Sequence, residues 1–195
     1  MQMSSKRQKG KSLLMFPEDY CVVDIETTGL SPEDSEIIEI SAVRYRGRKK
    51  QEVFSTLVKP AARIPRMITQ LTGIDNRMVE NAPGIEEAIV NFRSFVGEDI
   101  IMGYNVNFDI NFLYDALLRC TGEIFDNSFV DVLRFSRIAL THLSSRSQTN
   151  VAAYYGISAE GAHRAETDCD ICNACYMKLM QEESVIDSVT KKNRS

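Results

Sequence analysis

The succession of apolar patterns along the chain predicts an α/β domain in which helices flank a mixed β-sheet. Three observations predict it. Before residue 60, short runs alternate apolar and polar residues between turn residues, as in an antiparallel meander. From residue 85 onward the apolar spacing becomes i, i+3, i+4, i+7, interrupted by one short apolar run. The 195 residues, 44% hydrophobic and 26% charged, give one domain enough apolar material for a core. Strands that come first and then alternate with helices fit a mixed sheet covered by helices.

The first strand is expected at 20–27, inside the run C-V-V-D-I-E-T-T-G-L from Cys21 to Leu30. The second runs from Glu36 to Tyr45, where Ile38, Ile40 and Ala42 alternate; Gly47 marks a turn, and Val53 to Val58 closes the meander. Ile85, Ala88, Ile89, Phe92, Phe95 and Val96 lie on one helical face that stops at Gly97. Asp99 to Tyr104 reads as a short strand, Phe108 to Cys120 as a helix and Val130 to Leu140 as another. Thr149 to Tyr155 is a short helix ended by Gly156, and Arg164 to Met180 is the last. No repeat or linker divides the chain. One folded domain is expected over 16–182, between a disordered basic tail at 1–15 and a C-terminal tail at 183–195.

Composition excludes several classes. The longest apolar runs are too short for a membrane span. The basic start has four apolar residues before Pro17 and no small-residue cleavage site, so an intracellular, cytoplasmic protein is expected. The five cysteines are an odd number, and Cys169, Cys172 and Cys175 recur at a spacing suited to one side of a helix. Reduced thiols in a core explain that spacing; a zinc site would need a fourth ligand that the sequence does not place beside them. The net charge of −4 does not draw the whole protein onto nucleic acid. Arg44 to Lys50 nevertheless carries five positive charges in seven residues, and Lys6, Arg7, Lys9 and Lys11 add to the tail. Such clusters contact phosphates or form a solvated hairpin tip.

Acids occur where apolar residues are expected. Residues two apart in a strand point to one face, so Asp24 and Glu26 project together while Cys21, Val23 and Ile25 fill the other side. Two carboxylates in a partly dry site repel each other, and a divalent cation bound by oxygen ligands relieves that; alternatively one caps the T-T-G turn and the other faces solvent. In the 108–120 helix the stripe Phe112, Leu113, Ala116, Leu117 and Cys120 extends back onto Asp109, which would also sit well at a helix N-terminus. In the last helix Asp168 lies four residues before Cys172, on the side of Cys175, Tyr176 and Leu179. His163 would lie about 140° from Asp168 on an ideal helix, so it reaches the same site only from a preceding loop, which Gly161 and Ala162 permit. Four carboxylates would be neutralised by two divalent ions, an arrangement that serves phosphoryl transfer, with histidine taking a proton from water.

These motifs resemble those of the DEDDh exonucleases, the 3′–5′ exonucleases related to the proofreading epsilon subunit of bacterial DNA polymerase III. Asp24-Ile25-Glu26-Thr27-Thr28-Gly29, Asn105-Val106-Asn107-Phe108-Asp109 and His163 to Asp168 match the three family motifs in order, and the resemblance spans about 18–180. It implies an RNase H-like fold with a central mixed five-stranded sheet, an antiparallel meander followed by parallel strands. It also implies catalytic roles for Asp24, Glu26, Asp109, His163 and Asp168, with the four acids holding two Mg²⁺ or Mn²⁺ ions and His163 as general base. Thr27 and Leu30 would seat the 3′-terminal nucleotide, with Thr72 and Phe108 beside it. Single-stranded 3′ ends, of DNA before RNA, are the implied substrate, released as nucleoside 5′-monophosphates, and a DNA polymerase complex is the implied partner. An RNA exonuclease of the ribonuclease T or oligoribonuclease type is the alternative, followed by a subunit that kept the fold and lost catalysis. Cys169 stands where the family often has alanine, and Thr141 to Asn150 is more polar than the family leads one to expect.

Overall fold

The computed structural model describes residues 7–192. A central strand, β2 (Tyr20–Thr27), organises the molecule. It pairs antiparallel with β3 (Ile37–Arg46), which pairs antiparallel with β4 (Lys49–Leu57) to complete the expected meander. On its other side β2 runs parallel to β5 (Ile101–Gly103), β5 to β6 (Phe129–Asp131), and β6 to a two-residue strand, β1 (Ser12–Leu13). The sheet thus has six strands in the order β1-β6-β5-β2-β3-β4.

Alternation within β2 assigns its two faces. Cys21, Val23 and Ile25 enter a core layer beneath α2 (Ile85–Val96) and α3 (Asn107–Thr121). Tyr20 and Val22 enter the opposite layer, covered by α4 (Val132–Ala139), α5 (Gln148–Tyr154), α6 (Ala165–Leu179) and α7 (Glu183–Lys192). Asp24 and Glu26 continue the second series. A buried aliphatic side chain at either place would contribute about 1.5–3 kcal/mol, which the chain forgoes there. Between them and the strand end, β3 carries one extra residue: Glu39 faces Glu26 and Ile37 faces Thr27, leaving Ile38 in a bulge. Ile38 packs on Ile64, Ile68 and Ile74 around α1 (Arg66–Thr72).

Several expectations need correcting. The sheet has a sixth strand where residues 1–15 were expected to be a disordered tail; residues 1–6 lie outside the described residues, but Lys11 accepts the Phe129 N–H and Ser12–Leu13 pair with β6. The segment 183–195, expected as a tail, is helix α7 over its described part and buries Val185 and Val189. The fifth strand, which the pattern did not place, occupies 129–131, so the helix expected from Val130 begins at Val132.

Four of the five cations of the basic hairpin are paired with acids of the same chain. The hairpin's two-residue turn has Gly47 and Arg48 both at positive φ (52° and 60°), a type I′ turn. Arg44 pairs with Asp99 and Glu52, Arg46 with Asp99, Arg48 with Glu18 and Lys50 with Asp170. The hairpin also lies at the start of β2, opposite the end that carries the acids. The five cysteines are free. Cys169, Cys172 and Cys175 are buried against the sheet, and burial pushes all three thiols up, Cys175 to about 12, so they sit there as neutral core residues.

Candidate active site

The acids gather outside the C-terminal ends of the parallel strands, where open α/β sheets place ligands. Strand β5 stops at Gly103, where a Cβ would come within 2.7 Å of Val106 and 3.0 Å of the Val23 carbonyl, so only glycine lets the chain turn here. Asn105 then adopts φ 60°, a conformation asparagine tolerates. Its N–H donates to Asp131 Oδ1 at 2.9 Å, an oxygen that also caps α4 through the Leu133 N–H. This turn starts α3 and aims Asp109 back at the sheet. Because β5 pairs only with Cys21 and Val22, the Ile25 N–H has no strand partner on that side, and buried Asp109 accepts it at 3.2 Å.

His163 sits in the loop ahead of α6, where it had to lie if it was to reach Asp168. Its φ is 69°, a strained value for a side-chain-bearing residue, and its N–H donates to Asp168 Oδ2 at 2.6 Å. The other Asp168 oxygen accepts Gln148 Nε2 at 2.8 Å, and the same amide donates to the Asp168 carbonyl at 3.0 Å. Gln148 opens α5 at the end of the polar loop, which Tyr104 steadies through a 2.7 Å bond to the Arg146 carbonyl.

One cleft of about 260 Å³ is lined by Asp24, Glu26, Phe108, Asp109, His163 and Asp168, together with Tyr104, Asn105 and Ser147–Thr149. Carboxylate oxygens of Asp24, Glu26 and Asp168 lie within 4.8 Å of one another. Burial, then the charges of Asp109, Asp168, Glu26 and Glu39, push Asp24 well above the usual carboxylate range. Burial, then Asp168 and Glu39, push Glu26 up to about 7, with Arg164 opposing. Burial also raises Asp109 and Asp168; backbone bonds, including that from Ile25, counter it at Asp109, and the His163 N–H and Gln148 counter it at Asp168. The cluster is therefore a set of hard oxygen donors with too little positive charge of its own, and a divalent cation fits it.

The chain matches the model of the family described as Exonuclease over residues 21–176, most of its length. The chain belongs to the exonuclease family. This exonuclease is 36% identical over 163 residues to the DNA polymerase III epsilon subunit of Aquifex aeolicus, covering 84% of this chain and 81% of that one. It is 35% identical to the PolC-type DNA polymerase III of Clostridium perfringens over 90% of its own length but only 12% of that protein's. Its fold is similar to exonuclease I (TM-score 0.77, 20% identity, 90% of this chain and 44% of the other). It is also similar to exonuclease X in a complex with 5′-overhanging duplex DNA (TM-score 0.65, 22% identity, 86% and 98%). The exonuclease thus has the RNase H-like fold, hydrolyses phosphodiester bonds from the 3′ end and, as its family implies, depends on divalent metal, for which the acidic cluster is a candidate site.

The expected nucleotide-contacting residues of the exonuclease are placed unevenly. Phe108 lines the cleft. Leu30 is 88% exposed on the turn after β2, and the Thr27 hydroxyl donates to the Gly29 carbonyl at 2.6 Å within that turn. Thr72 is buried outside the cleft lining: its hydroxyl donates to the Ile68 carbonyl and accepts the Ile74 N–H, closing α1. Gln148 and Glu39 were not foreseen. A glutamine in a polar loop breaks no pattern, and Glu39 alternates with Ile38 and Ile40 as an outward-facing residue would.

Proposed function

We propose that the protein removes nucleotides one at a time from single-stranded 3′ ends, of DNA before RNA, releasing nucleoside 5′-monophosphates. The single observation that carries this reading is that acids from three separate segments, with His163, meet in one cleft at the end of β2. Asp24, Glu26 and Asp168 would hold one ion and Asp109 would contribute to a second, both Mg²⁺ or Mn²⁺. Bound there, the ions supply Lewis-acid stabilisation of the charge that develops on the phosphate. His163 takes a proton from the attacking water, a role open to an imidazole near neutral pH. The water oxygen bonds to phosphorus, the bond to the leaving 3′ oxygen breaks, and that oxygen takes a proton from solvent to become the new 3′-hydroxyl of the shortened strand, while exposed His163 returns its proton to solvent. Exposed Leu30 meets the terminal base, the Thr27 turn seats its sugar, and Phe108 lines the cleft nearby. Thr72 shapes that seat by closing α1.

DNA is favoured because the epsilon and PolC relatives are named for DNA polymerase III, and because exonuclease I is known bound to a dT13 oligonucleotide. The same relatives support a partnership with a DNA polymerase complex, which we place in the cytoplasm. Among the described residues no helix is long and apolar enough to cross a membrane. The test offers 5′-labelled single-stranded DNA, a mismatched primer–template and RNA with Mg²⁺, Mn²⁺ or EDTA. Stepwise shortening of DNA that stops in EDTA is expected; a strong preference for RNA would move the enzyme to the RNA-trimming class.

A further inference from the structure

Glu39 is a buried acid, 2% exposed, directly opposite Glu26 in the sheet. It adds negative charge beside a site that already has an excess, so it is costly unless something pairs with it. Its partners are the two residues that follow His163. Arg164 Nη2 donates to Oε1 at 2.7 Å and Arg164 Nε to both oxygens at 3.2 Å, while the Ala165 N–H donates to Oε2 at 3.0 Å. One carboxylate on a central strand therefore grips a side chain and a backbone amide at the start of α6. His163 itself is exposed and at positive φ, and its N–H is held by Asp168. The histidine backbone is thus pinned from both directions, by Asp168 on one side and by Glu39 through Arg164 and Ala165 on the other.

We propose that Glu39, acting through Arg164 and Ala165, is a positioning residue that fixes the His163 ring in the cleft. This rests on the reading of His163 as the proton acceptor. A fork that binds both oxygens sets an angle as well as a distance, which a lysine in place of Arg164 would not do. A role confined to docking α6 would lower stability and leave the histidine's contribution untouched once the protein is folded.

The experiment compares wild type, Glu39→Gln, Arg164→Lys, His163→Ala and the Glu39→Gln/His163→Ala double variant. It measures kcat and KM on single-stranded DNA, Mn²⁺ affinity by calorimetry, the thermal midpoint, and the imidazole NMR signals. The chain has two histidines, so His142 serves as the internal reference. Glu39→Gln is expected to lower kcat roughly 10- to 100-fold, within what a misplaced general base can cost, with KM and Mn²⁺ affinity changed less than about twofold. In the His163→Ala background the same change should cost almost nothing, the non-additivity of groups acting as a unit. The His163 signal should move in Glu39→Gln and Arg164→Lys while that of His142 stays. Additive losses in the double variant, or an unmoved His163 signal, would overturn the positioning role. Full activity of His163→Ala would instead remove the proton-acceptor reading itself, a result the NMR arm keeps separate.

Discussion

Asp109 Oδ1 accepts the Ile25 N–H at 3.2 Å, so a site carboxylate also completes the hydrogen bonding of the strand that carries Asp24 and Glu26. The two duties separate by substitution. Asp109→Asn keeps an acceptor and removes the charge; Asp109→Ala loses both and strands a buried amide, a cost of about 1–3 kcal/mol. Both should lose at least about 100-fold in activity, but urea unfolding should find the asparagine variant more stable than the alanine one by roughly that 1–3 kcal/mol.

Asp24→Ala and Asp168→Ala should give folded proteins without nuclease activity. In each case one of the three clustered ligands is gone, and calorimetry should find Mn²⁺ binding weakened about tenfold or more. His163→Ala should lose most of its activity, on the order of 10²–10⁴-fold, and bind Mn²⁺ normally. Wild-type turnover by Asp24→Ala would sink the metal-dependent mechanism.

Metal-free protein should grow more stable as the pH falls through neutrality. Glu26 is pushed up from 4.5 to about 7, so the folded state binds this proton more tightly than the unfolded chain does. Its contribution is complete below about 4.5 and is lost as the pH rises through about 7. Asp24, Asp109 and Asp168 shift in the same direction. Differential scanning fluorimetry in EDTA should therefore show the melting temperature rising by several degrees between about pH 8 and about pH 5. Saturating Mn²⁺ should flatten that slope, because ligated carboxylates stay ionised. At lower pH the trend reverses at Asp99, which Arg46 and Arg44 hold below its usual range despite its burial.

Gln148→Leu removes the side-chain donor to Asp168 Oδ1 and leaves the His163 N–H on Oδ2. A fall of about tenfold in activity at limiting metal is expected, the lower end of what an outer-shell partner contributes. Titrating Mn²⁺ against activity checks it: restored turnover at high metal is the expected outcome, and an unchanged titration curve would show that Gln148 does not hold the ligand.

The site was legible in the sequence because its acids break apolar series: Asp24 and Glu26 a two-residue alternation, Asp109 and Asp168 helical stripes. Such breaks register only where the surrounding pattern is strong. Strand β6 was hidden because only Asp131, the cap of α4, separates Phe129-Val130 from that helix's apolar start, and α1 is only seven residues long, too short for a period to show. Strand β1 and helix α7 owe their form to tertiary partners, Phe129 for one and the layer around Val185 for the other. Glu39 escaped because alternation implies a solvent face, whereas helices cover both faces of this sheet.

The ion pairs of the 44–50 hairpin bear on how the enzyme stays on a strand. Binding to a polyanion gains from the release of condensed counterions only for each free positive charge laid against a phosphate. Here Arg44, Arg46, Arg48 and Lys50 are already neutralised by acids of the same chain, at the end of β2 remote from the cleft. The hairpin therefore adds little to the grip on a strand, and the cations that do so must lie on other surfaces of the enzyme or on a partner.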